Sequence, residues 1–434
     1  MKHGQVPNDF KKLINLKAQE HPNEVFLAMA SIMGPADEPN VETPSGWTYF
    51  GQFVDHDITF DKGEGINART PIFDLDSLYG NGPGSQEHSN LYEGDEGKET
   101  FIVGNERNPE GDLQRDENFK AMIPDPRNDE NIIVASLQLL FQRFHNKLIN
   151  KEDLSFQDAK KTVLKDYQFV VLNEFLPLII GKERVESIIS NGRKLFIASD
   201  LSEVFMPLEF AGACYRFGHS MVRDRYSFND TFNNSFSNPR LFFDFPGGRP
   251  VDGGHQITDI WTLQGNGNTL MRFFDPTILR PLVDADNFAG KIDTKLPPVL
   301  FNLEVAPREN NILAHRNLIS GQRFELPNGQ QVATALIDLG IEVTRLSQED
   351  ILENEAPSAI ANNTPLWYYI LKEAEKQHSG KHLGDVGGTI VGETIIGLLQ
   401  ADPNSIMNDN SESPFNIPTD EEKLSIKDII KYVS

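Results

Sequence analysis

The sequence predicts one large, mainly α-helical domain with long loops and little β structure. Apolar residues recur at steps of three and four in several segments, the mark of amphipathic helices. Strand-like stretches are short and few. No internal repeat appears at any fixed period, which sets aside solenoids and propellers. With 434 residues, the chain is long enough to bury a sizeable core.

In chain order, the first helical pattern lies around Trp47 to Ile58. At about 100° per residue, Gln52, Asp55, His56 and Thr59 share one stripe, and Trp47, Phe50, Val54 and Ile58 share the opposite one. Val134, Leu137, Phe141, Phe144 and Leu148 mark a second helix. A third runs from Phe156 to about Glu174, and a fourth from Pro207 to Arg223. Arg225 to Gly248, rich in Phe, Asn and Ser, reads as a long ordered loop. Gln322–Glu325 and Gln331–Ala335 read as short strands. Further helices are expected at Pro365–His378 and Gly388–Ala401. The acidic, Asn/Ser-rich stretch Asp402–Glu421 reads as a mobile connector to a small helix at Ser425–Tyr432. The expected organisation is therefore a domain over 1–401, with its core at about 48–401, followed by a linker and short helix at 402–434.

The formal charge of −24 disfavours nucleic acid and anionic membranes as partners. A single cysteine, Cys214, forbids an internal disulfide. The most apolar stretch, 169–181, is interrupted by Asn173, Glu174 and Pro177, so no transmembrane segment is expected. No signal-peptide core is visible near Met1, which points to the cytoplasm by default, or to secretion if the N-terminus has been trimmed. No Walker loop, dinucleotide fingerprint, His-Glu-x-x-His or zinc cysteine pair occurs. Gly80-Asn81-Gly82-Pro83-Gly84 lacks the lysine of a phosphate cradle.

Four segments carry chemistry. In Gln52-Phe53-Val54-Asp55-His56-Asp57, a histidine stands between two carboxylates in an apolar run, where an unpartnered charge is costly. His56, with Gln52 one turn before it, suits a general base; an isolated pair of this kind is more often an ordinary core histidine. In the second segment, Thr70, Asp74 and Asp76 alternate oxygen donors as a loop around a hard cation does. A solvated acidic turn is the plain alternative. The third is Pro124 to Asn131, just before a helix, where acidic residues are expected for capping. Arg127 opposes the helix dipole there, which suggests that it points at a partner. In the fourth, Gly212, Tyr215, Arg216 and His219 share one helical face, and His219 is a candidate axial ligand to a haem iron. His145, beside the apolar stripe of its helix, reads as a packed core residue. His21, His378 and His382 read as exposed.

Taken together and in order, these segments resemble the animal-type haem peroxidases of the peroxidase–cyclooxygenase superfamily, from about Thr48 to Ala401. Leu176-Pro177 ahead of Gly181, Arg316-Asn317, and Leu326-Pro327 agree with it. The resemblance implies a haem-dependent peroxidase that reduces hydrogen peroxide and oxidises a small one-electron donor or a halide. It implies haem b, with Gln52, His56 and Arg127 on the distal side, His219 as proximal ligand, and Asn317 orienting it beside Arg216. Asp55 and Glu130 match the carboxylates that esterify the haem in many members. Asp57, Thr70, the carbonyl of Ile72, Asp74 and Asp76 match a calcium site. Asn131 stands where members with a third, sulfonium haem link carry methionine, so that link is not expected. Asp76 replaces the more usual serine and adds a negative charge. The chain also lacks the cysteines of secreted animal members and looks like a compact microbial representative.

Two rival functions come with the resemblance. Fatty-acid dioxygenases of the superfamily place a tyrosine three residues before the proximal histidine; here that position is Arg216, and Tyr215 is one residue off. A non-catalytic haem or adhesion protein is the second. The electron donor, ester formation, oligomeric state and compartment are not readable from the sequence.

Overall fold

The computed structural model describes residues 6–62, 65–104, 111–118, 120–227, 270–279, 287–303, 311–409, 419 and 423–434. Among them helices dominate: α1 (Asn23–Ile32), α2 (Gly46–Ile58), α3 (Asp76–Tyr79), α4 (Ile132–Glu152), α5 (Phe156–Val170), α6 (Leu176–Ile180), α7 (Lys182–Asn191), α8 (Leu208–Gly212) and α9 (Gly218–Met221). They continue with α10 (Met271–Phe274), α11 (Leu313–Arg323), α12 (Gly329–Asp338), α13 (Gln348–Ile351), α14 (Leu366–His378), α15 (Asp385–Ala401) and α16 (Ile426–Val433). The strands β1 (Phe10–Lys11), β2 (Pro39–Pro44), β3 (Tyr92–Glu93), β4 (Thr100–Phe101), β5 (Met206–Pro207) and β6 (Phe288–Gly290) form only two-stranded pairs. β1 runs parallel to β5; β2 and β6, and β3 and β4, are antiparallel. The mainly α class expected from the sequence is what is found. No helix of the described residues is long and apolar enough to cross a membrane.

The core is built around α2. Of its residues, only Gln52 and Asp55 keep partial exposure. Its apolar stripe buries Phe50, Phe53, Val54 and Ile58 completely. Phe53 stacks on Phe141 of α4, ring centroids 5.4 Å apart, and meets Tyr167 of α5 edge-on at 6.1 Å. Gly51 allows a close approach from outside the stripe: a Cβ there would lie 3.1 Å from the Phe175 ring. α4 starts on Asn131, whose side-chain oxygen accepts from the N–H groups of Ile133 and Val134 (3.1 and 3.0 Å). Glu373 of α14 plays the same part for α15, accepting from Val386 and Gly387 N–H. Burial pushes its carboxyl up to about 8 against those bonds.

Several sequence expectations need correction. The helix begun at Phe156 does not stop near Glu174. It passes through a wide turn at Val171–Phe175 into α6. Pro177 has no N–H to donate one turn back, and the wider turn absorbs that loss. The helix expected over Pro207–Arg223 is broken: α8 ends at Gly212, a tight turn covers Cys214–Phe217, and α9 follows. Ala213, at φ −144° and ψ −66°, makes the break. The two strand readings are wrong. Gln331–Ala335 lies inside α12, whose start carries a reciprocal cap between Asn328 and Gln331. Gln322–Glu325 is the exit from α11, with Glu325 at φ +52°. Most of the Arg225–Gly248 loop lies outside the described residues.

The expected connector differs over 402–409, and most of its remainder lies outside the described residues. Residues 402–409 are packed: Ser405 is fully buried, Ile406 N–H donates to Gln168 at 2.9 Å, and Lys165 pairs with Asp409. α16 lies where it was expected, capped by Ser425 and Asp428, with Ile426, Ile429, Ile430 and Val433 buried against the main core. His21 is buried and bonded to Asn363, not exposed. His378 and His382 are half-buried and stacked 3.8 Å apart.

Because Phe53 fills the junction of α2, α4 and α5, Phe53→Ala should cost about 3–5 kcal/mol of stability, the range for buried aromatic truncation. Denaturant unfolding of the two proteins measures it. A loss under about 1 kcal/mol, the range of a surface change, would show that this junction does not anchor α2.

Candidate active site

His56 is 4% exposed on α2. Its Nδ1 lies 2.8 Å from the amide oxygen of Asn128, and Asn128 is held by Gln138 at 2.9 Å. A carbonyl oxygen only accepts, so Nδ1 carries the ring proton and Nε2 keeps its lone pair. Nε2 makes no hydrogen bond among the described residues. Burial first, then the charge of Arg127, brings the imidazole down to about 3. At ordinary pH it is a neutral base with its free nitrogen available.

Arg127 does point at something, though not at the imidazole. Its Nε and one terminal nitrogen bind Asp125 (3.1 and 2.7 Å). The same terminal nitrogen donates to the carbonyls of His56 (3.1 Å) and Thr59 (2.7 Å) at the end of α2. The guanidinium lies 4.2 Å from the centre of the Phe60 ring. The second terminal nitrogen makes no hydrogen bond among the described residues, so one end of the cation is left for a ligand. Asp125 is completely buried and also holds Arg69 at 2.6 Å. Burial opposes its charge, yet Arg127 and Arg69 hold the carboxyl at about 2.

Gln52 is gripped at both ends: its NH₂ donates to Glu130 (3.2 Å) and its carbonyl accepts from Asn131 (3.0 Å). Asp55 accepts from the Thr59 hydroxyl at 3.0 Å. Burial raises the carboxyls of both Asp55 and Glu130 above their ordinary values, with Arg127 opposing. Asp55 and Glu130 lie within charge reach of one another, and Asp55 within reach of Arg216. The segments that carry Asp55 and Arg216, 161 residues apart in sequence, are therefore close in space.

On the proximal side, Asn317 of α11 joins His219 and Arg216. Its amide nitrogen is 2.7 Å from His219 Nδ1, and its oxygen accepts from Arg216 at 3.1 Å. As placed, the amide donates to Nδ1, which puts the ring proton on Nε2; ligation through Nε2 requires the amide turned by 180°, with its oxygen on Nδ1–H and its present bond from Arg216 given up. Nε2 has no hydrogen bond among the described residues. Burial, then Arg216, brings His219 to about 3, so the ring is neutral. The backbone of Arg216 is fixed by Trp367, whose Nε1–H donates to its carbonyl at 3.1 Å. The Trp367 ring lies 6.4 Å from that of His219.

On the far side of α2, Asp57, Asp74 and Asp76 bring carboxylate oxygens within 4.8 Å of one another. Asp57 is fully buried, and neither of its oxygens has a hydrogen-bond partner. Burial and the neighbouring aspartates raise it well above the carboxylate range, and Asp74 to about 8. Thr70 turns its N–H and hydroxyl to Asp76 (3.2 and 3.4 Å), and the Ile72 carbonyl accepts from Asp74 N–H. Three carboxylates this close, two of them buried, repel strongly unless protonated or bridged by a cation. Arg69 supplies part of the balance, 3.5 Å from Asp76.

Every sequence-predicted site residue falls into one of these three groups. The residues not foreseen are their holders: Asn128 and Gln138 behind His56, Arg69 between Asp76 and Asp125, and Trp367 behind Arg216. Asp125 had been read only as a helix cap, and it is one, accepting from Arg127 N–H at 3.0 Å. Asn128 lies inside the segment already singled out; Arg69, Gln138 and Trp367 carry no local signal.

Residues 61–245 match the family profile described as animal haem peroxidase. A peroxidase-like protein of Margaritifera margaritifera is 30% identical over 116 residues, 23% of this chain and 14% of that protein. A chorion peroxidase of Drosophila melanogaster is 30% identical over 114 residues, 24% of this chain and again 14% of the relative. The chain thus matches only a small part of the length of these relatives. Peroxidase A from Dictyostelium discoideum shares the fold at a TM-score of 0.66 and 16% identity, over 94% of this chain and 90% of that one. A fatty acid alpha-dioxygenase of Arabidopsis thaliana does so at 0.64 and 15%, over 98% and 76%. Residues 61–245 thus carry the sequence pattern of the animal haem peroxidases, and the chain shares its fold with peroxidase A and the alpha-dioxygenase.

Proposed function

We propose that this chain is a haem-dependent peroxidase that reduces hydrogen peroxide and oxidises a small one-electron donor or a halide. The observation that carries the reading is the pair of neutral histidines, buried His56 and half-buried His219, each with an Nε2 that makes no hydrogen bond among the described residues. One is suited to base work and the other to metal ligation. When bound, haem supplies the iron that accepts two electrons' worth of oxidation from peroxide. His219 would hold it, and Asn317 with Arg216 would orient the imidazole. His56 Nε2 takes a proton from peroxide and returns it to the departing oxygen. The free end of Arg127 stabilises negative charge on that oxygen. Asp55 and Glu130 would form ester links to haem methyl groups. Their raised pKa values favour the protonated carboxyl at higher pH than usual. Asn131 is occupied with capping α4 and holding Gln52, in keeping with the absence of a third link.

The acidic cluster fits calcium. Hard oxygen donors, two orphaned oxygens on Asp57 and mutual repulsion all call for a divalent cation. It would clamp the Thr70–Asp76 loop to α2 and fix the direction of His56.

A fatty-acid dioxygenase is the second reading, kept by one observation. Tyr215 is buried, its hydroxyl has no hydrogen-bond partner, and it lies within charge reach of Asp55. Arg216 at the position three before His219 favours the peroxidase. Oxygen uptake with an unsaturated or saturated fatty acid, without added peroxide, would reverse the order.

The absorption spectrum of the haem-loaded protein should change rapidly on adding peroxide; an unchanged spectrum would remove the peroxidase reading. His219→Ala should lose or weaken haem binding. His56→Ala should keep haem and slow the peroxide reaction about 10²–10⁴-fold, the worth of general acid–base help. A lowered pKa keeps the base neutral well into acid. The wild-type rate should therefore hold flat through the neutral range and fall only as pH approaches about 3. A rate halved near the ordinary histidine value would show that His56 is not the base. Acid–acetone extraction of peroxide-treated holoprotein should leave haem on the chain, and Asp55→Ala with Glu130→Ala should release it.

Exhaustive chelation should lower the unfolding temperature of the wild type and leave that of Asp57→Asn almost unmoved. A cation at a hundred times its dissociation constant contributes about 2.7 kcal/mol. Equal behaviour of the two proteins would mean that the cluster holds no stabilising cation.

A further inference from the structure

We propose that Tyr79 and His145 form a proton-coupled redox pair, a site where the protein gives up an electron from a buried tyrosine and keeps the proton. Tyr79 ends α3, one turn after Asp76 of the acidic cluster. Both Tyr79 and His145 are completely buried. The Tyr79 hydroxyl lies 3.1 Å from His145 Nδ1. His145 Nε2 lies 3.3 Å from the backbone carbonyl of Glu99. That carbonyl can only accept, so Nε2 carries the ring proton and Nδ1 is the acceptor. The phenol therefore donates to the imidazole, and the direction of proton transfer is built in.

Packing alone does not ask for this arrangement. A phenylalanine and a leucine would fill the same space without two buried polar groups. The surroundings are aromatic: His145 contacts Phe101 and Phe156 at 5.3 and 4.8 Å, and Tyr79 contacts the same two rings at 5.3 and 6.1 Å. The Lys160 ammonium sits 4.5 Å over the Tyr79 ring. A cation there opposes a positive ring, so electron loss is favoured only if the phenolic proton leaves at the same time. Burial brings His145 down to about 4, so the imidazole is neutral and ready to accept. Tyr92, itself buried, donates its hydroxyl to the Tyr79 carbonyl at 2.6 Å. Lys160 and Phe156 also line a surface cavity of about 410 Å³ with the 80–84 loop.

The step balances as follows. One electron passes from the Tyr79 ring to the oxidant, the phenolic O–H breaks, and a new N–H forms on His145 Nδ1. The products are a neutral tyrosyl radical, an imidazolium still bonded to the Glu99 carbonyl, and a singly reduced oxidant. Return of an electron from a donor reverses both transfers. In the working protein the oxidant is the haem after its reaction with peroxide, so this physiological use rests on the peroxidase reading.

The test has two arms. In the first, a ruthenium(III) polypyridyl complex generated by flash-quench oxidises the purified protein, with no peroxide present, and transient absorption follows tyrosyl radical formation. The wild type should form a neutral tyrosyl radical with a solvent deuterium isotope effect. Tyr79→Phe should lose that component. His145→Gln should slow it about a hundredfold, the lower end of general-base help. Equal radical yield and rate in the wild type and Tyr79→Phe would overturn the proposal. Should His145→Gln fail to fold, absence of the isotope effect in the wild type would overturn it equally. In the second arm, haem-loaded protein is freeze-quenched after peroxide and examined by electron paramagnetic resonance. A Tyr79-dependent radical by flash-quench but none after peroxide supports the pair and counts against the peroxidase reading alone.

Discussion

The buried carboxylate of Asp125 is the interaction on which the rest of the site depends. It stands in a completely buried position and holds two guanidiniums, Arg69 and Arg127. Removing either partner from such a cluster leaves an uncompensated charge, which is why these groups stay together. Arg127 carries the connection to the carbonyl end of α2, behind His56. Arg69 carries it to Asp76 and so to the acidic cluster. One carboxylate thus ties together the base, the cation that stands beside it and the loop that would hold a metal.

α2 shows why such a hub is needed. A helix with only two partly exposed residues nevertheless carries Gln52, Asp55, His56 and Asp57 in six positions. Each needs its own solution. Gln52 is held by Glu130 and Asn131, His56 by Asn128, and Asp55 by Thr59. Asp57 has only the Tyr167 hydroxyl within reach and no hydrogen bond of ordinary geometry among the described residues. The helical twist of about 100° per residue sends Asp55 and Asp57 to opposite sides of His56. Adjacent carboxylates therefore join separate clusters, Asp55 that of Glu130 and Arg216, Asp57 that of Asp74 and Asp76.

This division was legible in the sequence because it follows from helical geometry at neighbouring positions. The same holds for the periodicity of α4, α14, α15 and α16 and for the local caps of α4 and α16. What could not be read locally was how helices end and which distant side chains hold the site. The break at Ala213 between α8 and the Cys214–Phe217 turn leaves a periodic face in the sequence but not a continuous helix. The strand reading at Gln331–Ala335 overlooked the reciprocal cap of Asn328 and Gln331, which is a stronger signal than a short β-prone run. Arg69, Gln138 and Trp367 reach the site by tertiary contact alone. Their neighbours in sequence give no reason to choose them.

Three histidines show how little of the chemistry lies in the residue type itself. His56, His219 and His145 all have pKa values far below the ordinary value, for the same first reason, burial. All three are neutral at ordinary pH. They are separated by what touches Nδ1. At His56 a carbonyl oxygen takes the Nδ1 proton and frees Nε2 as a base. At His219 a side-chain amide meets Nδ1, and the end it presents decides whether Nε2 can ligate. At His145 a backbone carbonyl takes the Nε2 proton, and Nδ1 faces a phenol. Sequence reasoning assigned the first two to chemistry and the third to packing, because apolar neighbours look alike in all three. The partner of one ring nitrogen, not the surrounding hydrophobicity, distinguishes a base, a ligand and a proton acceptor. That partner is a property of the folded chain.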